Sequence, residues 1–216
     1  MNKRLTQCCL CLLACIALYG CLVPDRYIAT LSVSNTGYSL EFIGKLQMAA
    51  SYSDTYKRGM DNPRQLAQSI MSEFERVIKE RPQSKVETML LDEHSFGTKF
   101  IYVSPYYLAE ATGMFVMSVS GGDTLTIASR PISTKDMELL KKNKLVSKGT
   151  LCVKAFGTVL ESNADKHATL IDMCHRWELD GFERPVKLVV RFSQPVPMTP
   201  KAYQDAQNTP RGPRGR

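Results

Sequence analysis

Tyr27-Ile28-Ala29-Thr30-Leu31-Ser32-Val33-Ser34-Asn35-Thr36-Gly37-Tyr38-Ser39-Leu40-Glu41-Phe42 alternates apolar and polar side chains on both sides of a turn. Successive side chains of a strand point to opposite faces, so Tyr27, Ala29, Leu31 and Val33 share one face and Thr30, Ser32 and Ser34 the other. Asn35-Thr36-Gly37 supplies the turn, with a glycine able to take positive φ. The alternation resumes through Tyr38, Leu40, Phe42, Leu46 and Met48. The stretch reads as a β-hairpin with one buried face, and the rest of the domain must cover that face.

Downstream, Asn62 as N-cap, Pro63 at the first helical position and Gln65 three residues after the cap start a helix. Leu66, Ala67, Ile70, Met71, Phe74, Val77 and Ile78 recur at helical spacing, and Pro82 ends the run, which is read as a cover for the sheet. Strands are expected at Lys85–Leu91, Lys99–Val103, Met114–Ser120 and Thr124–Ala128, the last two joined by Gly121-Gly122-Asp123. A second helix, capped by Ser133, is expected over Thr134–Lys142, and its basic end suits the helix dipole. Three final strands are expected at Thr150–Leu160, Leu170–Leu179 and Val186–Phe192. The class is α+β: an antiparallel sheet of hairpins covered by one long and one short helix.

The chain has 216 residues, 44% of them apolar, enough for one core of ordinary size. Its formal charge of +7 shrinks on inspection, because Lys3 and Arg4 carry +2 and residues 201–216 carry +3, leaving +2 between them. A basic nucleic-acid-binding face is not supported by that balance. Five of the seven cysteines, Cys8, Cys9, Cys11, Cys15 and Cys21, fall in the first 21 residues. Such crowding belongs to a segment that is processed rather than folded. Met1-Asn2-Lys3-Arg4 forms a basic start and Leu10 to Leu18 an apolar stretch, the layout of a secretory signal. The apolar run from Leu5 to Gly20 is shorter than the roughly 20 residues that cross a bilayer as a helix.

Leu18-Tyr19-Gly20-Cys21 resembles the lipobox of bacterial lipoproteins, with an aliphatic residue at −3, a small residue at −1 and the cysteine to be lipidated at +1. Tyr19 departs from the small or aliphatic residue usual at −2, and Leu12-Leu13-Ala14-Cys15 is a second candidate. The resemblance implies an acylated Cys21, attachment to a membrane through the lipid, and a place in the cell envelope. Leu22 is not the aspartate associated with inner-membrane retention, which implies the outer membrane, facing the periplasm, in a cell with two membranes. One alkyl chain holds a protein only marginally, whereas two or more hold it stably. The organisation is then a signal peptide over 1–20, a lipid-anchored linker over 21–26, one domain over 27–194 and a flexible, basic, proline-rich tail over 195–216.

Cys152 and Cys174 are equidistant from Asn163, so a hairpin centred there would set them opposite each other. In an oxidising envelope that placement allows a disulfide; two reduced cysteines buried as small apolar residues fit equally. His94, His167 and His175 have no partner at ligand spacing, and no H-E-x-x-H or C-x-x-C is present, so no metal or cofactor is expected. Asp92, Glu93 and His94 form the one local group that could act as general base, and a solvated loop explains it as well. No G-x-S-x-G, P-loop or dinucleotide fingerprint occurs, and no catalytic residue is assigned. Trp177, with Met173 and Leu179 on its face, reads as core.

Phe156-Gly157-Thr158-Val159-Leu160-Glu161-Ser162-Asn163-Ala164-Asp165, followed by Arg176-Trp177-Glu178-Leu179, is similar to the closing hairpin of LppM-type lipoprotein domains, where Phe156 stands in place of the usual proline. That resemblance implies an α+β envelope domain that binds a lipid or glycolipid and has no catalytic residues. The expected function is a lipid-anchored, non-catalytic envelope protein that binds a lipid or other apolar ligand, the ten methionines suiting an adaptable cavity. The alternative is a structural or assembly lipoprotein that docks on an envelope complex or on the cell wall.

Overall fold

The structure, a computed structural model, describes residues 22–48, 62–107 and 115–196. The opening hairpin is formed by β1 (Leu22–Ser34) and β2 (Gly37–Met48), paired from Ser34 opposite Gly37 to Leu22 opposite Met48. Its register sends the apolar set inward as the alternation requires: Ala29, Leu31 and Val33 are fully buried, and Tyr38, Leu40 and Phe42 nearly so. Gly37 takes φ +129°, a conformation that disfavours any side chain, and a Cβ there would strike the Ser104 carbonyl and the Pro105 backbone. The Tyr107 hydroxyl pins this turn from outside: it accepts from the Ser34 N–H at 2.9 Å and lies 2.6 and 2.7 Å from the Ser34 and Gly37 carbonyl oxygens.

α1 (Pro63–Lys79) begins as expected, with the Asn62 side chain accepting from the N–H groups of Arg64 and Gln65. It packs on β3 (Lys85–Asp92) and β4 (Ser95–Ser104), with Phe74 between Phe96 and Phe100. β4 starts four residues earlier than expected because the Asp92 carboxylate accepts from the His94 N–H and closes a tight turn. β5 (Phe115–Ser120) and β6 (Thr124–Ser129) form the second hairpin, and α2 (Thr134–Lys142) follows within its expected bounds. The final strands are β7 (Lys148–Ala155), β8 (Thr158–Ser162), β9 (Cys174–Asp180) and β10 (Lys187–Arg191).

The α+β class holds, but the expected single antiparallel sheet is corrected. Among the described residues, ten strands divide between a six-stranded sheet, β3-β4-β2-β1-β7-β9, and a four-stranded one, β5-β6-β10-β8. The pairing of β1 with β7 is parallel, Ala29 beside Leu151 and Val33 beside Ala155. One contiguous core joins the layers: Leu31, Val33, Leu151 and Trp177 of the large sheet with Leu125, Ile127, Leu188 and Val190 of the small one. α2 belongs elsewhere, its Leu140 packing with Val23 and Leu145 in a small separate cluster. The stretch expected as one strand over 150–160 breaks at Phe156-Gly157 and passes from the large sheet to the small one. Residues 22–26, expected as linker, are part of β1, while Val196, two residues beyond the expected end of the domain, is buried and its N–H bonds the Gly122 carbonyl at 2.8 Å.

Candidate functional site

The residue on which the anchoring expectation rests, Cys21, lies outside the described residues, but its neighbour is placed: Leu22 is the first residue of β1. Any group on Cys21 therefore meets the fold at the end of the large sheet where β1 starts, β2 stops and β3 turns into β4.

Cys152 and Cys174 are joined by a disulfide, with Cα atoms 5.4 Å apart. They are not directly opposite. Cys152 faces Arg176 and Cys174 faces Lys154, so the bridge runs diagonally between β7 and β9. The hairpin expected around Asn163 does not exist, because β8 leaves for the other sheet and residues 163–173 run outside both sheets. Asn163 acts instead as a bracket: its side-chain oxygen accepts from Trp177 Nε1 at 2.9 Å and from the Lys187 N–H at 2.7 Å, and its amide donates to the Pro185 carbonyl at 2.9 Å. Trp177 is fully buried, which places it in the core as expected. Met173, expected beside it, is half exposed.

His94 does not join the other two histidines. His94 sits in the β3–β4 turn, Nε2 at 3.2 Å from the Glu93 carboxylate, and His175 lies on β9, with β2, β1 and β7 between them in strand order. His175 is buried, its ring meets His167 edge to face at 5.7 Å between centroids, and its Nδ1 has no hydrogen-bond partner among the described residues. Burial first, and the neighbouring His167 second, push its pKa below the usual imidazole value. Among the described residues no group of three or more His, Cys, Asp or Glu side chains could hold a metal ion.

Between α1 and the large sheet and between the two sheets, the described apolar side chains form one continuous buried cluster. Two of the depressions among the described residues are open to solvent. One runs along α1 over Ser72, Glu75, Arg76 and Lys79, whose charges are already paired as Arg76 with Glu73 and Glu80, and Lys79 with Glu75. The other lies at the turn end of the first hairpin, over Ser34, Gly37, Tyr38, Ser104, Pro105 and Phe156.

The feature that the sequence reading missed is the segment before β9. Leu170 and Ile171, expected inside a strand, are completely exposed at a bend. Its boundaries were legible in retrospect: Thr169 and Asp172 bracket the pair, the Thr169 N–H donating to the Asp172 carbonyl at 2.7 Å and the Asp172 N–H to Thr169 Oγ1 at 3.0 Å.

No family model, curated protein or solved structure matches the chain.

Proposed function

We propose that the chain is a lipid-anchored protein of the cell envelope, held in the membrane by acyl chains on Cys21, that works without catalysis by presenting a rigid domain to a partner. The single observation that carries this reading is the position of Leu22-Val23-Pro24 in β1, directly after the lipobox-like Leu18-Tyr19-Gly20-Cys21. The signal-like segment and the folded domain meet at one residue, so cleavage before Cys21 leaves no surplus chain between lipid and fold. Cleavage before Cys15 would leave Ile16-Ala17-Leu18-Tyr19 as an apolar stub. In a cell with two membranes the location is the outer one, with the domain in the periplasm, and the disulfide suits that oxidising side.

Of the two functions expected for such a domain, docking on an envelope component is favoured over enclosure of an apolar ligand, because the buried apolar side chains described in the two sheets and α1 join in one continuous cluster. α1 covers β3 and β4, whereas α2 packs apart from the main core with Val23 and Leu145. The experiment is fractionation of cells that make the parent chain, Cys21→Ser or Cys15→Ser. The parent and Cys15→Ser chains should stay with the membranes and Cys21→Ser should not be processed to the acylated form. Retention of a processed, acylated Cys21→Ser chain would refute the assignment.

A further inference from the structure

Leu170 and Ile171 break a local rule. Tight bends favour Gly, Asn, Asp and Pro, and large aliphatic side chains belong inside, yet relative exposures here are 102% and 98%. Met173, half exposed, adds a third apolar side chain to the same projection. The projection is braced rather than loose. Thr169 and Asp172 bond each other across the bend, Lys166 ladders with Arg176, and Cys174, two residues past the bend, is tied to Cys152 in β7. A rule broken at a fixed, fully supported position marks function rather than tolerance.

The charges around the bend decide what it fits. Its two acids are occupied: Asp172 pairs with Arg176 at 3.2 Å, and Asp165 pairs with Arg184. Lys166 and Lys154, the latter opposite Cys174, have no ion-pair partner among the described residues. Counting Glu178, whose N–H bonds the Asp165 carboxylate, four cations stand against three acids around the loop, and the two lysines without an ion-pair acid, Lys154 and Lys166, flank the strand end from which the apolar tip projects. A small convex knob needs either a matching pit or a medium that deforms around it, and aliphatic side chains above a basic collar match the acyl boundary beneath anionic headgroups.

We infer that the 165–173 loop is a membrane-inserting element, with Leu170 and Ile171 entering the acyl region of an anionic lipid surface and Lys154 and Lys166 meeting its headgroups. The surface is a second one. β1 runs from Leu22 to Ser34 over 13 residues, about 40 Å at the rise of a strand, and the loop enters β9 at the Ser34 end. A chain anchored at Cys21 thus holds this loop away from its own bilayer and can tether another. The tethering form of the proposal rests on the anchoring reading; the insertion itself does not.

The test uses the full acylated chain, extracted from membranes and reconstituted into neutral phosphatidylcholine vesicles. These are mixed with dye-labelled vesicles of phosphatidylethanolamine and phosphatidylglycerol, and flotation reads the dye carried by the first population. The expected result is dye capture that falls about tenfold or more in Leu170→Asp/Ile171→Asp, the loss expected from a few buried methylene groups. The melting temperature should be unchanged, since neither side chain contributes to the core. Lys154→Glu/Lys166→Glu should also lower capture. Equal capture by parent and tip variant, equal capture of neutral vesicles, or incorporation without any capture overturns the proposal, as does an effect of the tip variant on a protein partner alone. Failure to incorporate into the first vesicles refutes the anchor, not the tip. The same chain is then floated directly with the anionic vesicles, where loss of binding in the tip variant supports insertion and its absence refutes it.

Discussion

Asn163 is an exposed residue in an irregular segment, yet it holds the junction between two sheets. Its side-chain oxygen satisfies both the indole N–H of the buried Trp177 and the backbone N–H of Lys187 at the start of β10. Asn163→Ala leaves two donors unpaired, and stripping a buried donor of its partner costs about 1–3 kcal/mol. Urea denaturation should show a loss of that size, whereas Asn35→Ala, whose amide meets Gln194 on the surface, should be close to neutral. His175 makes a pH prediction. Its folded pKa lies below the ordinary value of about 6.5, so near and below that pH the unfolded chain binds more protons than the native one. Stability should therefore fall as the pH drops from about 7 through 6.5 and down to the depressed native value. The carboxylates held below their usual range, Asp165 by the Glu178 N–H and Arg184, and Glu73 by Arg76, act in a more acidic window. His175→Phe removes a buried nitrogen that lacks a partner, and its melting temperature should fall less over the near-neutral interval than that of the parent. An identical fall in both would show that another group titrates there.

Elements whose partners lie close in sequence were readable before the structure. The alternation from Tyr27 to Met48 needs only a two-residue turn to become a hairpin, and the Asn62 cap with its apolar stripe needs only a surface to lie on. Elements defined by distant partners were not. Nothing in Lys148–Ala155 announces that it lies parallel to β1, and the apolar run from Thr150 to Leu160 hides a change of sheet. The break is enforced by packing: a Cβ on Gly157 would come within 2.9 Å of the Arg191 carbonyl, Val190 and Phe192. A related close approach occurs at Tyr27, which shares the buried face with Ala29 and stacks on Phe42 at 5.5 Å between ring centroids. The ring lies over Gly149, where a Cβ would meet Tyr27 Cδ1 and the Tyr27 carbonyl oxygen, each at 2.5 Å. Gly149→Ala should cost about 1–3 kcal/mol, the range for an overpacked core site. Tyr27→Leu in the Gly149→Ala background should recover part of it, and failure of that rescue would show that the strand backbone rather than the ring resists the substitution.

Across the whole molecule, two sheets and a helix share one core, and the disulfide ties the last strand of the large sheet to β7. Closing a loop over a sequence separation of 22 residues stabilises by roughly 3 kcal/mol in the chain-entropy account. Cys152→Ala/Cys174→Ala should shift the urea midpoint down by the corresponding amount with the fold retained, and a fully unfolded double variant would mean that the core is weaker than its extent suggests. The candidate site was only partly legible at this scale. Cys21 and the two later cysteines stand out in the sequence, but the Leu170-Ile171 projection depends on β9 starting at Cys174, which the apolar run conceals. We propose that the domain is delivered to the envelope and held there by Cys21. Mass spectrometry of the N-terminal peptide of the mature protein tests it most directly. The expected peptide begins at Cys21 and carries a thioether-linked diacylglycerol with an amide-linked acyl chain; an unmodified cysteine, a start at Cys15 or an intact Met1 leader would contradict anchoring through Cys21.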